Sequence, residues 1–147
     1  MTEPTTGTPD GFTRVQRRSP FLDLVGELYL RDDADGPVYG LRIRPEHANN
    51  RRDAHGGVLM TFADLVLGYT TAFASDPPLP LTTASLNIDF VGGAKVGDWL
   101  EGRAEIVRAG RSLAFANCFL TVGDRRIARA SSVLSVGALP LAGTTLR

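Results

Sequence analysis

The chain has 147 residues, 43% hydrophobic and 22% charged, enough for one soluble domain to bury a core without metal or disulfide support. Its 16 basic and 16 acidic side chains cancel, so no net field draws nucleic acid or an anionic membrane, and no apolar run reaches the ~18 residues of a membrane span. One cysteine (Cys118) and two histidines (His47, His55) exclude an intrachain disulfide and a structural zinc site, and no cofactor or metal is expected.

Residues 1–11, rich in Thr, Pro and Gly, read as a disordered segment; they lack the apolar region of a signal peptide, so a cytoplasmic protein is expected. Residues 19–26, SPFLDLVG, predict a short helix with Ser19 as cap and Pro20 at the first helical position. Strand-like ELYLR (27–31) and VYGLRIR (38–44) flank the turn signal DDADGP and predict a hairpin. From 57 to about 75 the apolar positions Val58, Leu59, Phe62, Leu65, Val66 and Tyr69 follow helical spacing. The mirror face is barely polar, so this one long helix is expected to be buried nearly all round before SDPPLP ends it. Four strands follow, at 82–91, 99–109, 113–122 and 127–136, and their short turns predict an antiparallel meander. In the first, Leu86, Ile88 and Phe90 share one face and Thr83, Ser85, Asn87 and Asp89 the other. Residues 138–147 read as a loose tail, which leaves 12–137 as a single α+β domain: an antiparallel sheet wrapped around one long helix.

No GxSxG elbow, phosphate-binding glycine loop or HExxH occurs. What remains is HGG at the start of the long helix and one acid further in. Glycines there let a ligand approach backbone N–H groups that have no intrahelical partner, as an oxyanion hole requires. Taken alone, Gly56 and Gly57 are more simply read as a tight turn into the helix. Asp64 is harder to place as structure alone. A carboxylate among Phe62, Ala63, Leu65, Val66 and Leu67 is costly unless paired, so a polar cleft should reach it and make it a candidate base or nucleophile. Gly56 and Asp64 are separated by roughly 12 Å of helix, too far to act on one small carbonyl. If both serve one reaction, they come from two copies of the chain related by a two-fold axis.

HANNRRDAHGGVLMTFADLVLG, followed by TTASLNIDFVGGAKVGDWLEGRAEIVRAGRSLAFANCFLTVGDRRIARASSVL, resembles the hotdog-fold acyl-CoA thioesterases of the phenylacetate-pathway (PaaI-like) type. The resemblance spans about residues 19–137 and rests on a linked order: Asn, then HGG, then Asp, then TxxLxIxF and a Gly-Asp turn. It implies hydrolysis of an acyl-CoA to acid and CoA by a homodimer, or a tetramer of paired dimers, with sites at the subunit interface. By the same resemblance Asp64 is the base or nucleophile, Gly56 the oxyanion donor and Asn49 the orienting amide, with Asn50 as its neighbouring alternative. Thr83 supplies a hydroxyl beside the aspartate, and His55 fixes the loop. Gly57, Arg51, Arg52 and Arg111 become substrate contacts, with Lys95 and Arg108 as further candidates for the anionic CoA. Two departures stand out: NRRDA lacks the glycine usual before HGG, and VGGAK replaces the usual Arg-Pro or Ser-Pro. A non-catalytic acyl-CoA-binding module and a hotdog dehydratase for 3-hydroxyacyl thioesters are the competing readings.

Overall fold

The computed structural model describes residues 7–138 and 145–146. Its strands are β1 (Thr13–Arg14), β2 (Leu28–Asp33), β3 (Gly36–Arg42), β4 (Leu81–Phe90), β5 (Trp99–Ala109), β6 (Leu113–Val122) and β7 (Arg125–Val136); its α-helices are α1 (Pro20–Val25) and α2 (Gly56–Ala72). All seven strands form one antiparallel sheet in the order β1-β2-β3-β5-β6-β7-β4. The strands β5, β6 and β7 make the expected meander, but β4 does not join it beside β5. It pairs with β7 and forms the outer edge, a correction to the four-strand meander. The physical reason is the connection after Phe90: Val91 and Gly92 donate to Ile127 O, and the chain then crosses to pair β5 with β3.

Local chemistry sets the element ends. Ser19 Oγ accepts the Leu22 N–H at 3.2 Å and Pro20 opens α1. The hairpin strands run further into DDADGP than the residue pattern indicates, leaving only Ala34 and Asp35 in the turn before Gly36 at φ 112°. The α2 helix ends at Ala72, about a turn earlier than the apolar spacing alone would carry it.

The concave face of the sheet carries small residues: Ala114, Ala116 and Cys118 on β6, Ala128 and Ala130 on β7, all buried. They let α2 lie close and bury Leu59, Phe62, Ala63, Val66 and Leu67 completely or nearly so. Gly102 of β5 lies directly under α2, since a Cβ there would stand 2.6 Å from Val66 Cγ2 and 3.0 Å from Phe62 Cε1. Each large apolar side chain of α2 so buried contributes about 1.5–3 kcal/mol.

One flank of α2 escapes this burial. Gly57 and Met60 are exposed, and Gly56, Thr61, Asp64 and Gly68 are half-buried. The helix is therefore not enclosed all round, because the sheet stops at β4 and none of the described residues covers that side. Residues 1–6 of the expected disordered segment and most of the expected tail lie outside the described residues. Within that tail, Leu146 packs on the core and its carbonyl accepts the Gln16 N–H at 2.8 Å.

Candidate active site

The start of α2 is organised by His55. It occupies the cap position at φ −62°, ψ 138°, and its Nδ1 accepts the Gly57 N–H at 2.9 Å. Two further N–H groups of the first turn, Val58 and Leu59, reach the His55 carbonyl. The Gly57 N–H is thus already engaged, whereas the Gly56 N–H makes no hydrogen bond among the described residues. Of the two glycines, Gly56 is the free donor at the positive end of the helix dipole.

Asp64 lies on the open flank of α2, two turns further on, half-buried. Thr83 Oγ1 donates to Asp64 Oδ1 at 2.7 Å. Strict alternation puts Thr83 on the same face as Ser85, Asn87 and Asp89, away from the helix. The structure differs because β4 carries a bulge at Ala84. Thr83 pairs with Leu134 and Ser85 with Val133, so Ala84 is the extra residue and Thr83 turns onto the helix face. Beyond the bulge the alternation resumes, and Asp89 on the outer face pairs with Arg129 at 2.8 Å.

The segment 44–55 sets the approach to α2. His47 is buried; its Nδ1 accepts the Arg44 N–H at 3.0 Å and its Nε2 donates to Val25 O at 2.6 Å. Both ring nitrogens are used by the neutral imidazole, and burial holds its pKa below the usual histidine value. The His47 carbonyl in turn accepts the His55 N–H at 2.8 Å, which ties the cap residue to this post. Asn49 is half-buried, and its Oδ1 accepts the N–H groups of Arg51 (2.8 Å) and Asp53 (3.2 Å). Its carbonyl oxygen is spent on the loop, so only the amide nitrogen remains to meet a ligand. Arg52 takes φ 66°, a left-handed conformation in the very loop that lacks the usual glycine. Asn50, Arg51 and Arg52 are exposed at the mouth of this loop. Lys95 is bound to Asp53 at 2.5 Å rather than free. Arg108 and Arg111 are exposed at the other end of the sheet, around the turn where Leu113 pairs with Ser135, itself opposite Thr82. Within one chain, then, Asp64, Thr83 and Arg111 belong to one end of the sheet, and Gly56, His55, Asn49, Asn50, Arg51 and Arg52 to the other.

A cleft of about 1130 Å³ elsewhere on the molecule includes none of these residues. Tyr69, Phe73, Leu30, Tyr39 and Ile106 are among its lining, and Tyr69 and Phe73 are turned about 140–180° round the helix from Asp64. Cys118 is buried in the sheet, which pushes its thiol up to about 12 and leaves it unreactive.

The model for the thioesterase superfamily matches residues 52–128, a stretch that includes HGG, Asp64 and Thr83. The chain belongs to this superfamily. A Pseudomonas aeruginosa protein that bears an esterase name is 46% identical over 126 residues, covering 85% of this chain and 94% of its own length. Human acyl-coenzyme A thioesterase 13 is 25% identical, covering 82% of this chain and 86% of its own. The Escherichia coli PaaI protein from the phenylacetic acid degradation operon shares the fold, with a TM-score of 0.73 at 17% identity over 83% of this chain and 87% of that one. The fold is the hotdog, an antiparallel sheet around one long helix, and the chain is a thioester hydrolase by family. Among the described residues no helix is long and apolar enough to cross a membrane.

Proposed function

We propose that the chain is an acyl-CoA thioesterase acting as a homodimer, with Asp64 of one protomer and the partner's Gly56 working on the same thioester. The observation that carries this reading is the Thr83–Asp64 hydrogen bond on the open flank of α2, beside a sheet edge that has no neighbouring strand among the described residues. A ten-residue edge strand is a template for antiparallel pairing with its own copy about a two-fold axis. Met60 and Val91, both exposed in the single chain, add apolar surface on the same side. Pairing the edges runs the two β4 strands in opposite directions, so the Thr83 end of one meets the Phe90 end of the other. Each Asp64 then faces the N-terminus of the second α2, which removes the roughly 12 Å separation within one chain.

The chemistry follows from those two groups. Asp64 takes a proton from water, the hydroxide oxygen adds to the thioester carbonyl, and the Gly56 N–H holds the oxyanion that forms. Collapse breaks the C–S bond, and CoA leaves as a thiolate that regains the proton. Asp64 as nucleophile would instead give a mixed anhydride that water then cleaves; the same donor serves both routes. Thr83 orients the carboxylate, Asn49 presents its amide N–H to the carbonyl or the water, and His55 holds the first turn so that Gly56 stays free. Exposed Arg51 and Arg52, with Arg111 from the other protomer, suit the phosphates of CoA. The name of the human relative supports acyl-CoA as the substrate class. Thiol release from a panel of aryl and straight-chain acyl-CoAs tests the reading, with Asp64→Asn as the dead control. An Asp64→Asn chain as fast as the parent overturns the assignment.

A further inference from the structure

Phe90 closes β4, paired with Ala128, and its register with Leu86 and Ile88 places the ring on the helix face of the sheet. There it meets the N-terminus of α2. A Cβ built on Gly56 would lie 3.2 Å from Phe90 Cζ and 3.5–3.6 Å from Cε1 and Cε2, so the outer edge of the ring rests against the glycine that carries the free N–H. The same ring is 52% exposed, whereas Phe62, which only packs, is fully buried. One side of Phe90 therefore contacts Gly56 while the rest opens toward the unpaired sheet edge. An aromatic ring has no polar atom to compete for the Gly56 N–H, and its contact on the Cβ side of Gly56 keeps water from that side of the glycine. A hydrogen bond to developing charge is stronger where water is excluded.

We propose that Phe90 is a positioning residue for thioester hydrolysis, forming the apolar wall of the oxyanion site and fixing the side from which the acyl carbonyl reaches Gly56. The proposal rests on the role given to Gly56 above. It assigns the ring's exposed surface to the apolar carbons next to the thioester carbonyl, whichever acyl group follows them.

The test measures kcat and KM with butyryl-CoA and octanoyl-CoA for the parent, Phe90→Ala, Phe90→Leu and Phe90→Tyr, together with melting midpoints. Phe90→Ala lowers kcat about ten-fold with both substrates while KM changes less than about three-fold, and Phe90→Tyr, which sets a hydroxyl on Cζ against Gly56, does not recover the loss. Residual structure lost with the ring is read separately from the melting midpoint, and Phe90→Leu carries the comparison if the alanine variant does not fold. A second readout is coupling: Gly56→Ala forces a Cβ against the ring, so its cost in kcat is smaller in the Phe90→Leu background than in the parent. A parent-like kcat in Phe90→Ala or Phe90→Leu, or strict additivity with Gly56→Ala, overturns the proposal. A parent that releases no thiol from any acyl-CoA overturns the functional reading and this inference together. An active parent with an unaffected Phe90→Leu overturns this inference alone.

Discussion

Thr83→Val removes one oxygen from the site and keeps the branched shape of the side chain on its strand. The bond lost is the 2.7 Å contact from Thr83 Oγ1 to Asp64 Oδ1, in which the acceptor is a carboxylate. Hydrogen bonds of that kind contribute about 1.5–3 kcal/mol where water does not replace them. In the isolated protomer Thr83 is exposed, so water takes its place and folding stability changes by less than about 1 kcal/mol. In the proposed dimer the partner chain screens this bond from bulk water, and the same loss leaves Asp64 free to turn away from its substrate. At about 1.4 kcal/mol per factor of ten, kcat falls roughly 10- to 100-fold. Initial rates of thiol release, measured beside melting midpoints, separate the two effects. Thr83→Ser keeps the oxygen and stays within a few-fold of the parent. A Thr83→Val chain that matches the parent in kcat refutes the role given to this hydrogen bond.

Two other outcomes concern the loop before α2. Arg52→Gly relieves a left-handed backbone at φ 66°, and the variant gains about 0.5–1 kcal/mol in denaturant unfolding, net of the greater freedom of glycine in the unfolded chain. A loss of stability would mean that the arginine side chain, not the backbone, holds this loop. His47 is buried neutral, with a pKa lowered from 6.5. As pH falls below about 6.5 the unfolded chain takes up a proton that the folded chain refuses, so stability is fully present above that value and declines below it. The melting midpoint of the parent therefore drops between about pH 7 and pH 5, and His47→Asn loses most of that slope. An identical slope in the variant contradicts the burial argument.

Much of the fold is legible in the sequence because it is local. Helical spacing from Val58 to Tyr69 marks α2, and Ser19-Pro20 marks the start of α1, since both depend on neighbours three or four residues away. The edge position of β4 is a different matter. Its residues alternate as cleanly as those of a central strand, and strand order depends on which partner β7 takes, a contact that no local pattern encodes. The bulge is hidden for a related reason: TTASLNIDF reads as unbroken alternation, yet the pairing with β7 inserts Ala84 and turns Thr83 toward Asp64. Arg52 has no residue signature for a left-handed φ; only the missing glycine in NRRDA hinted at it. The demand on Asp64 for a polar surrounding was legible, because a lone acid in an apolar helix is costly in any fold. That its surroundings lie on an open flank was not, since the apolar pattern around the helix indicates burial without saying which chain provides it.

The central claim is that each site joins two chains, and mixed dimers test it most directly. Gly56→Pro removes the free N–H at the first helical position, where proline is tolerated and where His55 already has the extended conformation proline requires of its predecessor. Asp64→Asn and Gly56→Pro chains, each inactive alone, are unfolded and refolded together. In a mixed dimer one site receives both defects and the other receives neither. Random pairing then restores about one quarter of parent activity. If each site were complete within one chain, the mixture would stay as inactive as its two components.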